Sequence, residues 1–483
     1  VKKANKRPVQ PQSARSSIVR NPVNNSTNGS MGRRTPKTTK ATSKGRRVNW
    51  LVLCLAGVGL LSATAGALLA VSLSSTPLMQ RKFTAAEASI FKKGEISRTG
   101  NLKMPALTRP VNILVMGTKV LSSDLDNIPA ELQNQGYHSL VNSFEGLTDT
   151  MLLIRFNPED KKLSVLSIPR DTRTEIPGVG VRKINDANAE GGPALAARSA
   201  SNLLGGVGID RYVILNVQGV EALVNALGGI TVHVPKDMKY QDDSQHLYIN
   251  LKAGRQRLNG DQVLQLLRFR YDEYGDIGRI QRQQIVMRAL MEQALNPATI
   301  TRLPQILSVI QSHLDTNLSV EELVALVGYG AQVNRSNTQM LMLPGEFSNP
   351  GEFDASYWLP SYSRIDDIMA RHFNFGTVKE SDDRPESVRV TIQDGTEQPE
   401  LAQDILGNLR EAGYADTGIG QPWNENLSVT RIVAQQGDSR KANAIREALG
   451  FGEVRIETTG DLASDVTIQL GKDALRKRKQ TDS

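Results

Sequence analysis

Cysteine is almost missing from this chain: Cys54 is the single thiol among 483 residues. No intrachain disulfide can form, so every folded part must rest on packing alone. Histidine is scarce too, with five residues at 138, 233, 246, 313 and 372. They are scattered without ligand spacing and read as structural or surface groups. Acidic residues are wholly absent from the first 49 positions, which carry thirteen Lys and Arg amid Ser, Thr, Asn and Pro. That composition cannot collapse and predicts a disordered basic cytoplasmic tail over 1–49. Removing its charge of +13 from the formal total of +8 leaves −5 for residues 50–483. The basic balance belongs to the tail, not to the folded part. Thirteen cations would give salt-dependent affinity for nucleic acid, but the region offers one aromatic, Trp50, and no folded motif, so nucleic acid is not the expected partner. What the chain does have is 39% hydrophobic and 22% charged residues, the profile of folded protein with room for two or three domains.

Charge is also missing from residues 50–71, WLVLCLAGVGLLSATAGALLAV. At a rise of about 1.5 Å per residue this run spans a hydrocarbon core of about 30 Å, which predicts a transmembrane helix over 50–72. A signal peptide with small residues at Ala63, Ala65 and Ala67 is the competing reading; the length of the run and of the basic leader favours the span. Arg46 and Arg47 then keep the N-terminus cytoplasmic and place the chain from about residue 73 outside, at the plasma membrane.

Beyond the span, 73–108 reads as a stalk or linker with an amphipathic helix near 83–93. An α/β domain is expected over 109–378. Its strands are Val111–Met116, Thr150–Phe156 and Leu163–Ile168, the last two forming a hairpin. Helical patterns follow at 193–204, 219–227, 260–267, 280–295, 304–313 and 319–332, with a strand at Ile230–Val234. The charged segment 379–386 reads as a linker ending in Pro385. A smaller α/β domain is expected over 387–473, built from strands at 387–392, 427–433 and 466–470 and helices at 399–411 and 440–449. Residues 474–483 form a short basic tail.

Two stretches carry chemistry. In Arg268-Phe-Arg270 the two guanidinium groups point to one side if the backbone is extended, and Arg279 and Gln283 share a face of the following helix. Such a cluster suits a polyanion, because the planar guanidinium fork matches phosphate. It equally suits a salt-bridged surface helix with Asp272, Glu273 and Asp276 as partners. In the hairpin, centring the turn between Glu159 and Asp160 sets Asp149 across from Arg170. That pair reads either as a cross-strand ion pair worth up to about 1 kcal/mol, or as an oxygen ligand for Mg²⁺ beside a phosphate-binding arginine.

The fragments LTDTMLLIRFNP, LSVLSIPRDT, VRKINDANAEGG, LNVQGVEALVNALGGITVHVP, LKAGRQRLNGDQVLQLLRFR and GDIGRIQRQQ, in this order, resemble the LytR-CpsA-Psr family of cell-wall glycopolymer transferases over roughly 111–377. The strand, DGT turn and helix over 388–411 resemble the start of the LytR C-terminal domain. The resemblance implies a central mixed β-sheet flanked by helices. It implies that Arg170, Arg268, Arg279 and Gln283 bind the pyrophosphate of a polyprenyl-linked glycopolymer, with Arg270 a further contact. It implies that Asp149 holds Mg²⁺, and that peptidoglycan is the acceptor. The family's second metal aspartate falls where this chain has Gly117-Thr118-Lys119, so Asp124 or Asp126 would have to supply that ligand, or Lys119 replace some of the charge. Asp171 or a metal-bound alkoxide is left as the base. The lipid needs a dry slot, and the helices Ala194–Leu204 and Val220–Leu227 are either its lining or simple core. A pyrophosphate hydrolase at the same site, or a non-catalytic envelope regulator, are the alternative functions.

Overall fold

A computed structural model describes residues 82–98, 105–118, 146–242, 247–269, 275–294, 296–302, 313–334, 337–378, 384–396, 398–423 and 425–481, with a few single positions between them. The expected span at 50–72, Lys119, Asp124, Asp126, Arg270 and half of 304–313 lie outside the described residues. Among the described residues, no helix is long and apolar enough to cross a membrane.

The first domain is built on strands that are apolar almost without interruption, as strands covered on both faces are. They are β1 (Val111–Thr118), β2 (Thr148–Asn157), β3 (Lys162–Ile168), β4 (Arg211–Leu215), β5 (Leu314–Thr316) and β6 (Thr338–Met342). They form one six-stranded mixed sheet in the order β5-β4-β1-β2-β3-β6. The pairs β1–β2, β2–β3 and β4–β5 are antiparallel, while β1 with β4 and β3 with β6 are parallel. The β2–β3 turn is made by Asn157, whose Oδ1 accepts from the amides of Glu159 (3.1 Å) and Asp160 (3.4 Å), with Lys161 at φ 53°. This turn sets the register Met151↔Ile168 through Asn157↔Lys162, the one obtained by centring the turn between Glu159 and Asp160.

Alternation then sorts the side chains. Leu114, Met116, Leu153, Leu166, Ile168 and Ile214 point to one face, where they pack with α1 (Asp186–Leu203) and α6 (Tyr362–Phe373) in the main core. α1 is broken at Gly191 and at Gly192 (φ 65°), and Pro193 opens its second part, which is the helix that the sequence periodicity marks from 193. The other face is covered by α2 (Val217–Ala226), α4 (Gly275–Ala294) and α5 (Val320–Gly330), with α3 (Gly260–Arg268) packed between α2 and α4.

Three expectations need correction. The helix near 83–93 is a single turn, Ala85–Ala88, started by a Thr84–Glu87 capping box; Phe91 then bridges to Ile209 and stacks with Tyr212 at 5.3 Å. The stalk reading fails over its described part: Ile96 is fully buried and Ser97–Arg98 pairs with Ala106–Leu107, so this segment belongs to the domain. Arg268 is not extended. An Asn259–Gln262 capping box starts α3, the helix runs through Arg268, and only Phe269 turns extended (φ −62°, ψ 127°).

The second domain has a five-stranded mixed sheet of β7 (Val390–Asp394), β8 (Thr417–Ile419), β9 (Arg431–Ala434), β10 (Glu453–Arg455) and β11 (Val466–Leu470), ordered β8-β7-β11-β9-β10. Helices α7 (Pro399–Glu411) and α8 (Ser439–Leu449) bury Leu401, Leu409, Ala442 and Ile445 against it. The basic end is partly structured, since α9 (Lys472–Thr481) buries Ala474. This domain docks by main-chain bonds onto β6: Met340 N donates to Ile456 O (3.0 Å) and Thr458 N to Met340 O (2.9 Å). The outer edge of the first sheet is thereby covered. Arg288 of α4 pairs with Glu457 at 3.2 Å, and His372 of α6 bonds Gln339 (2.8 Å) and the Gly437 carbonyl (2.9 Å).

Candidate active site

The hairpin of β2 and β3 brings the charged groups together. Pro169 has no N–H for the ladder, so β3 ends at Ile168 and the chain turns through Arg170 and Asp171. The turn is pinned: Thr172 Oγ1 donates to Pro169 O (2.6 Å), Asn185 N to Arg170 O (3.2 Å) and Trp358 N to Asp171 O (2.9 Å). Arg170 Nη1 then lies 2.8 Å from Asp149 Oδ1, and its Nε lies 3.1 Å from Asp171 Oδ2. The other oxygen of Asp171 accepts from Lys183 Nζ at 2.7 Å. Burial works against the charge on Arg170, but Asp171 and Asp149 outweigh it and hold its pKa above the ordinary arginine value. Two guanidinium or ammonium groups and two carboxylates thus stand at one end of the sheet. Lys183 is the member that sequence reasoning missed; it lies in VRKINDANAEGG, but no local pattern shows that its β-strand, Gly180–Lys183, folds back on Asp171.

Asp149 also lines an apolar cavity of about 400 Å³ on the second face of the sheet. Its floor is made by Ile113, Val115, Ile154, Val165, Val213 and Met340, and its cover by Val220 and Leu223 of α2, Met287 and Met291 of α4 and Leu326 of α5. Of the two helices expected at a lipid slot, only the one at 217–226 is there. Ala194, Ala197, Ala200 and Leu203 pack as solid core on the opposite face, because β1 and β2 present Leu114, Met116, Met151 and Leu153 to them.

Gln283 lies in the cavity wall with Asp149. Arg279 is one turn before it on α4, and its side chain and Arg270 lie outside the described residues. Arg268, as the last residue of α3, is half-buried and helical, so the condition under which Arg268 and Arg270 would point to one side is not met at Arg268. Another arginine fixes this corner. Arg282 is 3% exposed, donates through Nη2 to Phe269 O at 2.6 Å and sits over the Phe269 ring at 5.7 Å. It ties α4 to the end of α3, and thereby sets where Arg268 and Gln283 stand.

For Mg²⁺, the oxygen donors of Asp149 are of the right chemical kind. The rest of the described set does not complete a cage. Thr118 is buried and its hydroxyl donates to Leu215 O (3.3 Å), while Asp171 is shared by two cations. Among the described residues, no three His, Cys, Asp or Glu side chains are grouped to hold a metal.

Comparison with known proteins gives the context. Regulatory protein MsrR of Staphylococcus aureus is 35% identical over 173 residues, covering 35% of this chain and 51% of MsrR, so the chain spans about half the length of that relative. A polyisoprenyl-teichoic acid--peptidoglycan teichoic acid transferase, TagU of Bacillus cereus, is 31% identical over 228 residues, 46% of this chain and 71% of TagU. Among solved structures, Bacillus subtilis TagV is 25% identical with a TM-score of 0.44, covering 54% of this chain and 95% of TagV. Residues 387–473 match the family described as LytR cell envelope-related transcriptional attenuator. Residues 78–374, more than half of the sequence, match the LytR_cpsA_psr family, and the chain belongs to that family.

Proposed function

We propose that this protein is a membrane-anchored, extracytoplasmic phosphotransferase that moves a glycopolymer from a polyprenyl-pyrophosphate carrier onto peptidoglycan and releases polyprenyl phosphate. One observation carries the reading: an apolar cavity of about 400 Å³ is lined in part by Asp149, whose carboxylate is 2.8 Å from Arg170. An apolar cavity whose wall includes Asp149, the carboxylate that holds the Arg170 guanidinium, fits an isoprenoid chain ending in a phosphate. The activity in the name of the TagU relative is of the same kind.

Arg170, oriented by Asp149 and Asp171, would take the pyrophosphate oxygens, with Arg268, Arg279 and Gln283 completing the contacts and Lys183 adding charge from the far side of Asp171. A sugar hydroxyl of peptidoglycan attacks the phosphorus that bears the glycopolymer. A new P–O bond forms to the acceptor, the P–O bond to the bridging oxygen breaks, and polyprenyl phosphate departs with that electron pair. The hydroxyl proton is taken up by the released phosphate monoester or by solvent. Charge spreads over the equatorial oxygens as the bridge breaks, which is where preoriented guanidinium groups act. Asp171 holds two cations in place, and that positioning is the role its contacts support. No step is assigned to Mg²⁺, since the described donors do not form its cage.

The test is transfer of a radiolabelled glycopolymer from its purified lipid carrier by the full chain in nanodiscs. Arg170→Ala should lower turnover by about 10²-fold or more, with polymer appearing on peptidoglycan only when acceptor is added. Turnover by Arg170→Ala at the wild-type rate would overturn the assignment, and release of free glycopolymer phosphate regardless of acceptor would make the protein a hydrolase.

A further inference from the structure

Helix α4 has cavities on both sides. Gln283, Met287 and Met291, spaced four residues apart, face the apolar cavity, while Gly278, Arg282, Ile285, Ala289 and Glu292 face a second and larger one of about 790 Å³ between the two domains. Gln284, Arg288 and Thr459 border both. The far wall of the second cavity comes from the C-terminal domain, with Gln393, Gln421, Trp423, Asn426 and Asp461 in it. The lining is more mixed than that of the first: amides, carboxylates, guanidinium groups and one indole stand among apolar side chains such as Val232, Met238 and Leu427.

Two of its features ask for a ligand. The Trp423 Nε1 and Thr459 Oγ1 atoms are buried and have no hydrogen-bond partner, a condition that folded proteins rarely leave unmet. The charges of the cleft are also unequal. Arg431 is matched by Glu425 at 3.1 Å and Arg288 by Glu292 and Glu457, each at 3.2 Å, whereas Lys236 and Arg255 meet no carboxylate among the described residues. Planar amides and carboxylates recognise vicinal hydroxyls, an indole offers both a stacking face and a donor, and uncompensated cations select an anion. The cleft runs along α4 from Gly278, next in sequence to Arg279, to Glu292.

We propose that this interdomain cleft binds an anionic glycan chain, and that the C-terminal domain exists in part to close it. The inference rests on the glycopolymer-transfer reading for its choice of substrates: lipid lies on the more apolar side of α4 and saccharide on the side that carries the amides, charges and indole. Two sources share the chemistry, a phosphate-bearing glycopolymer and the carboxylate-bearing glycan of peptidoglycan.

Calorimetric titration of the full chain in nanodiscs tests it without lipid carrier or turnover, so its failure is separate from failure of the transfer reading. The probes are poly(glycerol phosphate) oligomers, solubilised peptidoglycan glycan strands with free carboxylates, and neutral chitooligosaccharide. One of the two anionic probes should bind, the neutral one at least about tenfold more weakly. Trp423→Ala and the double variant Lys236→Ala/Arg255→Ala should each weaken binding by about tenfold. Trp423→Phe, which keeps a ring and removes the indole N–H, should fall between. Whichever anionic probe binds identifies the substrate held there. The exposed lysine and arginine pair keeps the test valid if Trp423→Ala misfolds. No binding by the wild type, equal affinity for the neutral sugar, or affinity unchanged in the double variant would overturn the proposal.

Discussion

The two faces of the central sheet are made by the same strands with the same kinds of side chain, and they are put to opposite uses. Leu114, Met116, Leu153 and Leu166 interlock with the alanines of α1 and the isoleucines of α6. Ile113, Val115, Ile154 and Val165, their immediate neighbours in sequence, floor a cavity. An apolar strand pattern therefore specifies burial from water without specifying what does the burying. The difference comes from the covering layer: α1 presents small residues at Ala194, Ala197 and Ala200 that let it close on the sheet, while α2, α4 and α5 meet over the other face and leave space between them.

The largest effect that separates the faces is on stability. Leu153→Ala, on the fully packed face, should destabilise the protein by about 2–5 kcal/mol, whereas Ile154→Ala, half-buried on the cavity floor, should cost about 1 kcal/mol. Chemical denaturation of the two variants checks this, and equal losses would mean that both faces are solid core. Next in size is the seal that the C-terminal domain places at the cavity's edge. Burial works against the charge on Arg288, and Glu457 and Glu292 outweigh it, holding its pKa above the ordinary arginine value. Arg288→Ala leaves Glu457, 6% exposed, without its cation. A loss of about 3 kcal/mol is expected, seen as faster hydrogen exchange in β6 and in 456–459, while α1 on the packed face stays protected.

Overpacking sharpens the comparison further. Leu114→Trp should cost about 1–3 kcal/mol or more, since the packed face has no room, while Val115→Trp should be accommodated by the cavity and instead weaken lipid binding. Melting curves and lipid co-purification read the two effects. The smallest effect is one of pH. Burial lowers the pKa of His372 below its ordinary 6.5, so the folded protein holds a neutral imidazole between Gln339 and Gly437. A depressed folded value means that the unfolded chain binds the proton more readily. Its contribution is full above about pH 6.5 and is lost as pH falls below that, by at most about 1.4 kcal/mol per pH unit. His372→Ala should flatten this part of the stability profile.

Much of this was legible in the sequence where local rules decide. The Asn157–Lys161 turn fixed the β2–β3 register, and with it the meeting of Asp149 and Arg170. Helix α7 and strands Ile230–Val234 and β11 fall at the residues that periodicity marks. What stayed hidden depends on distant partners. β4 and β6 are five-residue runs that resemble any short apolar segment until β1 and β3 pair with them. Lys183 reaches Asp171 only because a small hairpin folds over, and Arg268 is helical because a cap nine residues earlier propagates through it. The division of apolar residues between core and cavity is set by the covering helices and has no signature in the strands themselves.

The central claim is that the cavity side, and not the α1 side, holds the isoprenoid. A photoreactive polyprenyl-pyrophosphate analogue, crosslinked to the full chain in nanodiscs and mapped by peptide mass spectrometry, tests it most directly. The account predicts adducts on Val165, Met287 and Leu326, abolished by Val115→Trp; adducts confined to α1 or to the outer surface, or unchanged by that substitution, would contradict it.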